Sequence, residues 1–484
     1  MRYEDYFSKF NDNDLSSVIP FIDNQKATDF LLENAPRLYC PDQVIEETFA
    51  FRTWVMRKHV KKTPAGFLIT EFLPDVYWAG KFNTINAPLI HHLNEFRWLK
   101  SADIFLDYVK FFLSGDNGAY SYHVPALAEM YEFCILTDNE KFLKDNVSLF
   151  ENYFKVWVDT HFTENGLFWS IDDREGTEYS ISGTTPDMKF GKGLRPLMNA
   201  CMYGDAIALS KFSTNPKFYL NFASKLKEKM DAKLWDGEFY KAVHPTIEDF
   251  SRQIDYCDIP EGCNAKELTS YAPWVYGMPD ADKAFVFDYL KDKNVFNSKM
   301  GLSSAERSHP RFMYPVHKPC TWNGKVWPFS TSIAINAIIK AFDDGYKINV
   351  DNKDLYSFIQ TYAQMHYMIE DGKRYNYIGE VMLPDQHVWH AHEWFKGKDV
   401  PITNGGADRG RDYNHSTFID LVLRGLCGIN VKSNTLNVNP RIDGVWDWFK
   451  IENLTFKRQT YNVYYDKTGK VFNKGAGVII EKVN

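Results

Sequence analysis

Four acidic residues, Asp172, Asp173, Glu175 and Glu178, crowd into the stretch W-S-I-D-D-R-E-G-T-E-Y-S-I-S-G that begins at Trp169. An apolar run follows in which Leu197, Cys201, Gly204, Ala208 and Phe212 share one face at helical spacing. A carboxyl held by such a loop at the head of a buried helix is well placed to move a proton at a cavity mouth. The plainer reading is a solvated loop with capping acids. Three further stretches carry suitable groups. In T-W-N-G-K-V-W-P-F, Trp322 and Trp327 bracket Asn323 and Gly324 ahead of Pro328 at an early helical position, which sets rings at a cavity rim. Core tryptophans beside a helix cap would give the same pattern. Tyr375 to Asp385 holds Glu380 between an aromatic run that includes Tyr377 and a Pro-Asp turn. Gly405 to Ser416 is a glycine-rich charged loop with Asp408, Arg409, Arg411 and His415, whose ion pairs could simply fix the loop.

The chemistry that suits such a set is cleavage of a glycosidic bond. It needs two carboxyls on opposite sides of the anomeric carbon, one protonating the leaving oxygen and the other activating water or attacking. They need not be neighbours in sequence. The histidines of H-V-W-H-A-H (His387, His390, His392) lack the H-E-x-x-H arrangement, so neither a metal nor another cofactor is expected. No G-x-G-x-x-G after a strand, no Walker loop and no G-x-S-x-G elbow points to nucleotide or serine-hydrolase chemistry.

Composition narrows the partner. Aromatic residues make up 16% of the chain, with 13 Trp and 28 Tyr. Rings with an apolar face and a polar handle suit a cleft that binds sugars, although an aromatic-rich core is the alternative. A net charge of -7 without a long basic run argues against nucleic acid and against anionic membrane surfaces. No stretch approaches the roughly 20 apolar residues of a membrane span. The opening M-R-Y-E-D-Y-F-S-K-F has no apolar signal region, which suggests a cytoplasmic protein, or a periplasmic one if a signal has been removed. Seven cysteines (Cys40, Cys134, Cys201, Cys257, Cys263, Cys320, Cys427), scattered and without C-x-x-C, read as reduced core thiols.

The elements that must position these groups are mostly helices. After a helical extension ending at Pro36, a helix begins past Asp42 with Ile45, Phe49, Met56 and Val60 on one stripe. Arg52 shares that stripe, which requires a polar interior. Residues 67–82 read as extended structure and loop. Helices are expected near 84–98, 101–114, 123–136, 140–160, 195–212, 215–231, 264–275, 280–291, from Trp327, at 353–369 and at 415–425, with a hairpin and loop over 232–262. The helix after Trp327 is apolar nearly all round, whereas 215–231 and 353–369 are amphipathic. Inner apolar helices alternating with outer amphipathic ones, roughly a dozen in all and without a solenoid period, predict an all-α (α/α)6 toroid. From residue 427 the texture turns to short alternating strands, with Asp466-Lys467-Thr468-Gly469 as a hairpin turn. The predicted organisation is an extension over 1–39, a barrel over 40–426 and a small C-terminal β-domain over 427–484.

Over roughly residues 40–430 the sequence resembles the six-hairpin glycosidases, above all mannosylglycerate-hydrolase-like and glucosidase-I-like glycoside hydrolases, neighbours of the trehalases. Gly176-Thr177-Glu178-Tyr179-Ser180 falls on the segment that carries their general acid. Gly379-Glu380-Val381-Met382-Leu383-Pro384-Asp385 falls on the segment that carries their general base. Trp322, Gly324 and Trp327 match the W-x-G-x-x-W element that lines the sugar site. The acid position holds Glu where the family pattern has Asp, so Asp172 and Asp173 stay open as alternative acids.

The resemblance implies an inverting, exo-acting α-glycosidase for an oligosaccharide, with Glu178 as acid and Glu380 as base. The expected stacking residues are Trp169, Trp322 and Trp327. The expected ligands of sugar hydroxyls are Asp173, Arg195, Asn323, Tyr377 and His415. Two rival readings stand beside it. One is a phosphorylase, lyase or epimerase on the same scaffold, the phosphorylase using Arg409, Arg411 and His415 as an anion pocket. The other is a carbohydrate-binding barrel that has lost catalysis.

Overall fold

The computed structural model describes residues 1–115, 117–183, 192–243, 265–407, 409–431 and 434–483. Cys257, Cys263, Asp408 and the part of the expected hairpin from 244 to 262 lie outside the described residues. Helices dominate, joined by small antiparallel sheets. The helix Pro328–Asp343 begins with proline in its first turn and is buried over nearly its whole circumference, from Phe329 through Ile339. Its neighbour Asn352–Gln364 buries only Leu355, Ile359, Tyr362 and Ala363, the single apolar stripe its sequence carries. Pro196–Leu209 and Pro216–Lys233 repeat that contrast between a buried and a one-faced helix.

Arg52, on the helix Gln43–Lys58, turns inward and is 3% exposed. Its guanidinium donates to the Ser416 hydroxyl (2.9 Å) and carbonyl (2.8 Å) and lies 3.4 Å from Glu95. Glu95 in turn accepts backbone N–H groups of Phe418, Ile419 and Asp420, an anion placed at the free N–H groups of a helix start. The polar interior that the stripe demanded is therefore a cap joining distant helices.

Several boundaries differ from the pattern reading. The expected 353–369 helix stops at Gln364, because Tyr367–Glu370 pairs with Lys373–Asn376 across Asp371 and Gly372, both at positive φ (50° and 75°). Two such residues form the mirror-type turn that hairpins favour. Near 280–291 the coil is 3-10 (Ala281–Leu290), and at the last helix the chain winds wider, as a π-helix over Leu421–Leu426. The stretch 431–440 contributes only the bridge of Val438 to Ile429 among the described residues. The turn at Asp466 is wider than a two-residue hairpin, since its carboxylate gathers the N–H groups of Thr468, Gly469, Val471 and Phe472.

The largest sheet has four strands. Arg37–Tyr39 pairs with Trp448–Phe456, which pairs with Gln459–Asp466 and then Gly477–Val483. One strand thus comes from before residue 40 and three from beyond 447. No helix among the described residues is long and apolar enough to cross a membrane.

A buried carboxyl elsewhere in the fold gives a stability prediction. Glu129, 6% exposed, accepts the Tyr276 hydroxyl (2.9 Å); burial, reinforced by the charge of Glu132, pushes its pKa up to about 8. A folded-state value above the unfolded one means that stability is complete at low pH and is lost as pH rises toward 8. Denaturant unfolding of Glu129→Gln should match the parent near pH 4 and exceed it by up to about 4–5 kcal/mol near pH 8.5. Equal pH dependence in both proteins would remove Glu129 as the cause.

Candidate active site

A cavity of about 540 Å³ opens where four loops meet, and among its lining residues are Glu71, Asp173, Glu178 and Glu380. The acid-rich loop is built by its own acids. The Asp172 carboxylate accepts the Asp173 N–H (2.9 Å), and its carbonyl accepts those of Glu175 (3.0 Å) and Thr177 (2.9 Å). Glu175 is buried against Arg195 (2.8 Å) and the Met198 N–H (3.3 Å), which clamps the loop to the helix Pro196–Leu209. Arg195 also lies 3.4 Å from Glu267. Immediately after Glu178 the chain reverses at Tyr179, whose φ of 59° is costly for a bulky residue and tolerated where the surroundings fix it. The Glu178 carbonyl accepts the Trp322 N–H (3.0 Å), so the acid loop and the tryptophan loop are joined.

Trp322 and Trp327 stack face to face, 4.2 Å apart and 9° from parallel, with Phe329 edge-on to Trp322. Val326 between them pairs with Met382 through two 2.9 Å hydrogen bonds, which sets the Glu380 loop beside the tryptophans. At Glu380 one oxygen, Oε2, accepts the Cys320 thiol, and the other, Oε1, lies 3.7 Å from Arg409 Nε. Gly410 backs directly onto this side chain, since a Cβ there would stand 3.3 Å from Glu380 Cγ.

The loop that supplies Tyr413 and His415 is nailed down by charges and rings. Lys58 meets Asp412 at 2.6 Å. His59 Nε2 donates to the Asp412 carbonyl (2.7 Å) and His92 Nε2 to that of Asn414 (2.6 Å). Burial drives both histidine pKa values down to about 3, so each ring is neutral and its single N–H is committed to a carbonyl. Tyr413 then donates to Glu71 Oε1 at 2.6 Å.

Electrostatics separates the carboxyls. Burial, with the charges of Asp173, Asp172 and Glu380 adding, pushes Glu178 up to about 8. Burial, opposed by the Tyr413 hydroxyl and aided by Glu380 and Glu178, does the same to Glu71. Asp173 is raised by burial and lies 3.5 Å from Arg174. At neutral pH the cavity therefore holds two carboxyls kept protonated by burial, Glu71 and Glu178, beside Glu380.

Of the residues picked out from sequence, Asp173, Glu178, Trp322, Trp327, Glu380 and His415 line the cavity. Trp169, Arg195, Asn323 and Tyr377 are not among its lining residues. Trp169 stacks on His161 (4.5 Å) under the Lys192 ammonium (4.0 Å). Arg195 is taken up by Glu175 and Glu267, Asn323 donates to the Tyr314 carbonyl (2.8 Å), and Tyr377 is packed 5.5 Å from Trp389. Asp172 is fully buried in its turn, whereas Asp173 reaches the cavity. Arg411 pairs with Glu370 (3.8 Å) away from the lining, and Arg409 is inside it. Glu71 carried no sequence signal beyond a lone acid in I-T-E-F-L, and Cys320 carried none. Of the H-V-W-H-A-H rings, His387 stacks on Tyr367 (3.8 Å) and His390 meets the Pro319 carbonyl (3.0 Å). Among the described residues no three His, Cys, Asp or Glu are grouped to hold a metal.

Comparison with known proteins places the chain. Residues 81–416 match the family model described as the mannosylglycerate hydrolase MGH1-like glycoside hydrolase domain. No curated protein matches the sequence. Among solved structures, a protein described as a sialidase is 27% identical, with a TM-score of 0.85; the match covers 100% of this chain and 43% of that longer one. The GH63 mannosylglycerate hydrolase from Thermus thermophilus, in complex with Tris and D-glycerate, is 11% identical (TM-score 0.50), over 77% of this chain and 99% of its own. A putative kojibiose phosphorylase from human microbiome is 12% identical (TM-score 0.50), over 96% and 63%. The latter two likenesses are of fold alone.

Proposed function

We propose that this chain, which belongs to the mannosylglycerate hydrolase MGH1-like glycoside hydrolase family, cleaves an α-linked oligosaccharide from one end with inversion at the anomeric carbon. One observation carries the reading: Glu178 and Glu380, from loops roughly 200 residues apart, line a single cavity, and the Glu380 charge helps raise the Glu178 pKa. Glu178, with its raised pKa, is the proton donor to the leaving oxygen, and Glu380 draws a proton from water on the opposite face of the sugar. Inversion needs the two carboxyls roughly 6.5–9.5 Å apart, room enough for that water. The outer face of the stacked Trp322–Trp327 pair offers a platform for the sugar ring, and Asp173, His415 and Glu71 offer polar contacts to its hydroxyls. Trp169, Arg195, Asn323 and Tyr377 act from behind the wall, by holding the loops.

The alternation of buried and one-faced helices supports an (α/α)6 double ring over 40–426, with the segment 1–39 and the β-rich region 427–484 packed against it. The work-place of the protein is proposed as cytoplasmic, or periplasmic if a signal has been removed. The phosphorylase reading keeps its scaffold likeness, but it needs an anion pocket where Glu380 stands. The test is proton NMR with α- and β-linked oligosaccharides, with and without phosphate. Early release of a β-configured sugar from an α-linked substrate, independent of phosphate, is the expected result. Product only with phosphate, or an α-configured first product, would overturn it.

A further inference from the structure

Glu380 is a buried carboxylate whose orientation would decide where an attacking water can sit. Its two oxygens are treated differently by the protein. Oε2 faces the Cys320 sulfur within hydrogen-bond reach, while Oε1 faces Arg409 Nε at 3.7 Å, beyond hydrogen-bond reach. Cys320 is also the one cysteine among the described residues that is not fully buried, and it lines the cavity.

The backbone that carries this thiol is fixed from both sides. The carbonyl of Pro319 accepts Lys325 Nζ (2.9 Å) and His390 Nδ1 (3.0 Å). The carbonyl of Thr321 accepts Trp327 Nε1 (3.0 Å), the same indole that forms half of the stacked pair. Burial and the Glu380 charge both raise the thiol pKa well above its ordinary value. The sulfur is therefore held as a neutral S–H donor and not as a thiolate nucleophile.

We infer that Cys320 is a positioning residue for the proposed general base: its thiol donates to Glu380 Oε2, fixes the carboxylate plane and leaves Oε1 for the attacking water. The inference rests on the reading of Glu380 as base, although the S–H donation itself does not. A donor to the charged form also makes Glu380 a slightly weaker base, so its loss should raise the carboxylate's proton affinity.

Two measurements separate the layers. In the infrared difference spectrum of the protein minus Cys320→Ser, the S–H stretch should lie below the free-thiol position and move back toward it in Glu380→Gln. A band at the free-thiol position that Glu380→Gln leaves unmoved would overturn the inference, whatever the activity. Kinetics on p-nitrophenyl α-glycosides and on the oligosaccharide identified by NMR then tests the role. Cys320→Ala should lose about tenfold in kcat with KM within twofold, and the acid limb of its kcat profile should move to higher pH, whereas Cys320→Ser, which keeps a donor, should recover most of the loss. Unchanged kcat and acid limb in Cys320→Ala would overturn it. So would equal loss in Ala and Ser with no movement of that limb, the mark of a merely structural residue. Full activity in Glu380→Gln would instead sink the base assignment while leaving the infrared result standing.

Discussion

Glu380→Gln should fold, bind the oligosaccharide with little change in KM, and lose kcat by about 10³-fold. The figure follows from what a positioned base contributes to proton transfer, commonly about 10²–10⁴. The amide keeps the shape of a side chain that is 4% exposed and hemmed in by Gly410, so collapse of the fold is not the expected cause. It cannot take a proton from water. Steady-state kinetics with thermal unfolding as a control checks both halves. Retained activity in a folded variant would remove Glu380 from the mechanism.

Glu178→Gln should be equally damaging for one kind of leaving group and mild for another. A sugar alkoxide leaves poorly without a proton, so kcat on an oligosaccharide should fall by about 10³. A p-nitrophenolate needs little help, and the loss on p-nitrophenyl glycosides should be no more than about tenfold. The pH profile adds a sign. A donor whose pKa is pushed up to about 8 is competent below that value, so activity should decline as pH rises through it, and Glu178→Gln should displace that alkaline limb. Since Glu71 titrates in the same range and the two carboxyls interact, the limb belongs to the pair. Comparable losses on both substrate types would return the acid role to Asp173, the other loop acid that reaches the cavity.

That Glu178 and Glu380 line the cavity was legible because each sits in a short motif whose neighbours are local. Trp322 and Trp327 were legible for the same reason. The residues that do not line the cavity show where that logic ends. Arg195 stands before a helix, where a cation facing a ligand is plausible, but its partners are Glu175 and Glu267, the latter far along the chain. Trp169 likewise pairs with His161 and Lys192, not with a cavity. Glu71 is held at the cavity by Tyr413, some 340 residues later, and no spacing rule connects them. Among the elements, the 328–343 helix was readable from its unbroken apolar surface. The end of the 352–364 helix was not, because apolar spacing in Y-M-I-E fits either coil or strand and only the Asp371-Gly372 turn decides.

The pairing of Arg37–Tyr39 with Trp448–Phe456, sealed by the ion pair of Arg37 with Glu452 at 3.2 Å, sets a timetable for biosynthesis. As the chain leaves the ribosome, the strand at 37–39 waits without its partner until more than four hundred further residues have been made. The same delay applies to the cavity, because Lys58, Glu71 and His92 are completed only by Asp412, Tyr413 and Asn414. Helices with local contacts can form during translation, but such distant pairings form late and leave apolar surface uncovered meanwhile. The cavity is thus among the last parts of the nascent protein to close, and a stalled or truncated product would carry neither the sheet nor a closed cavity.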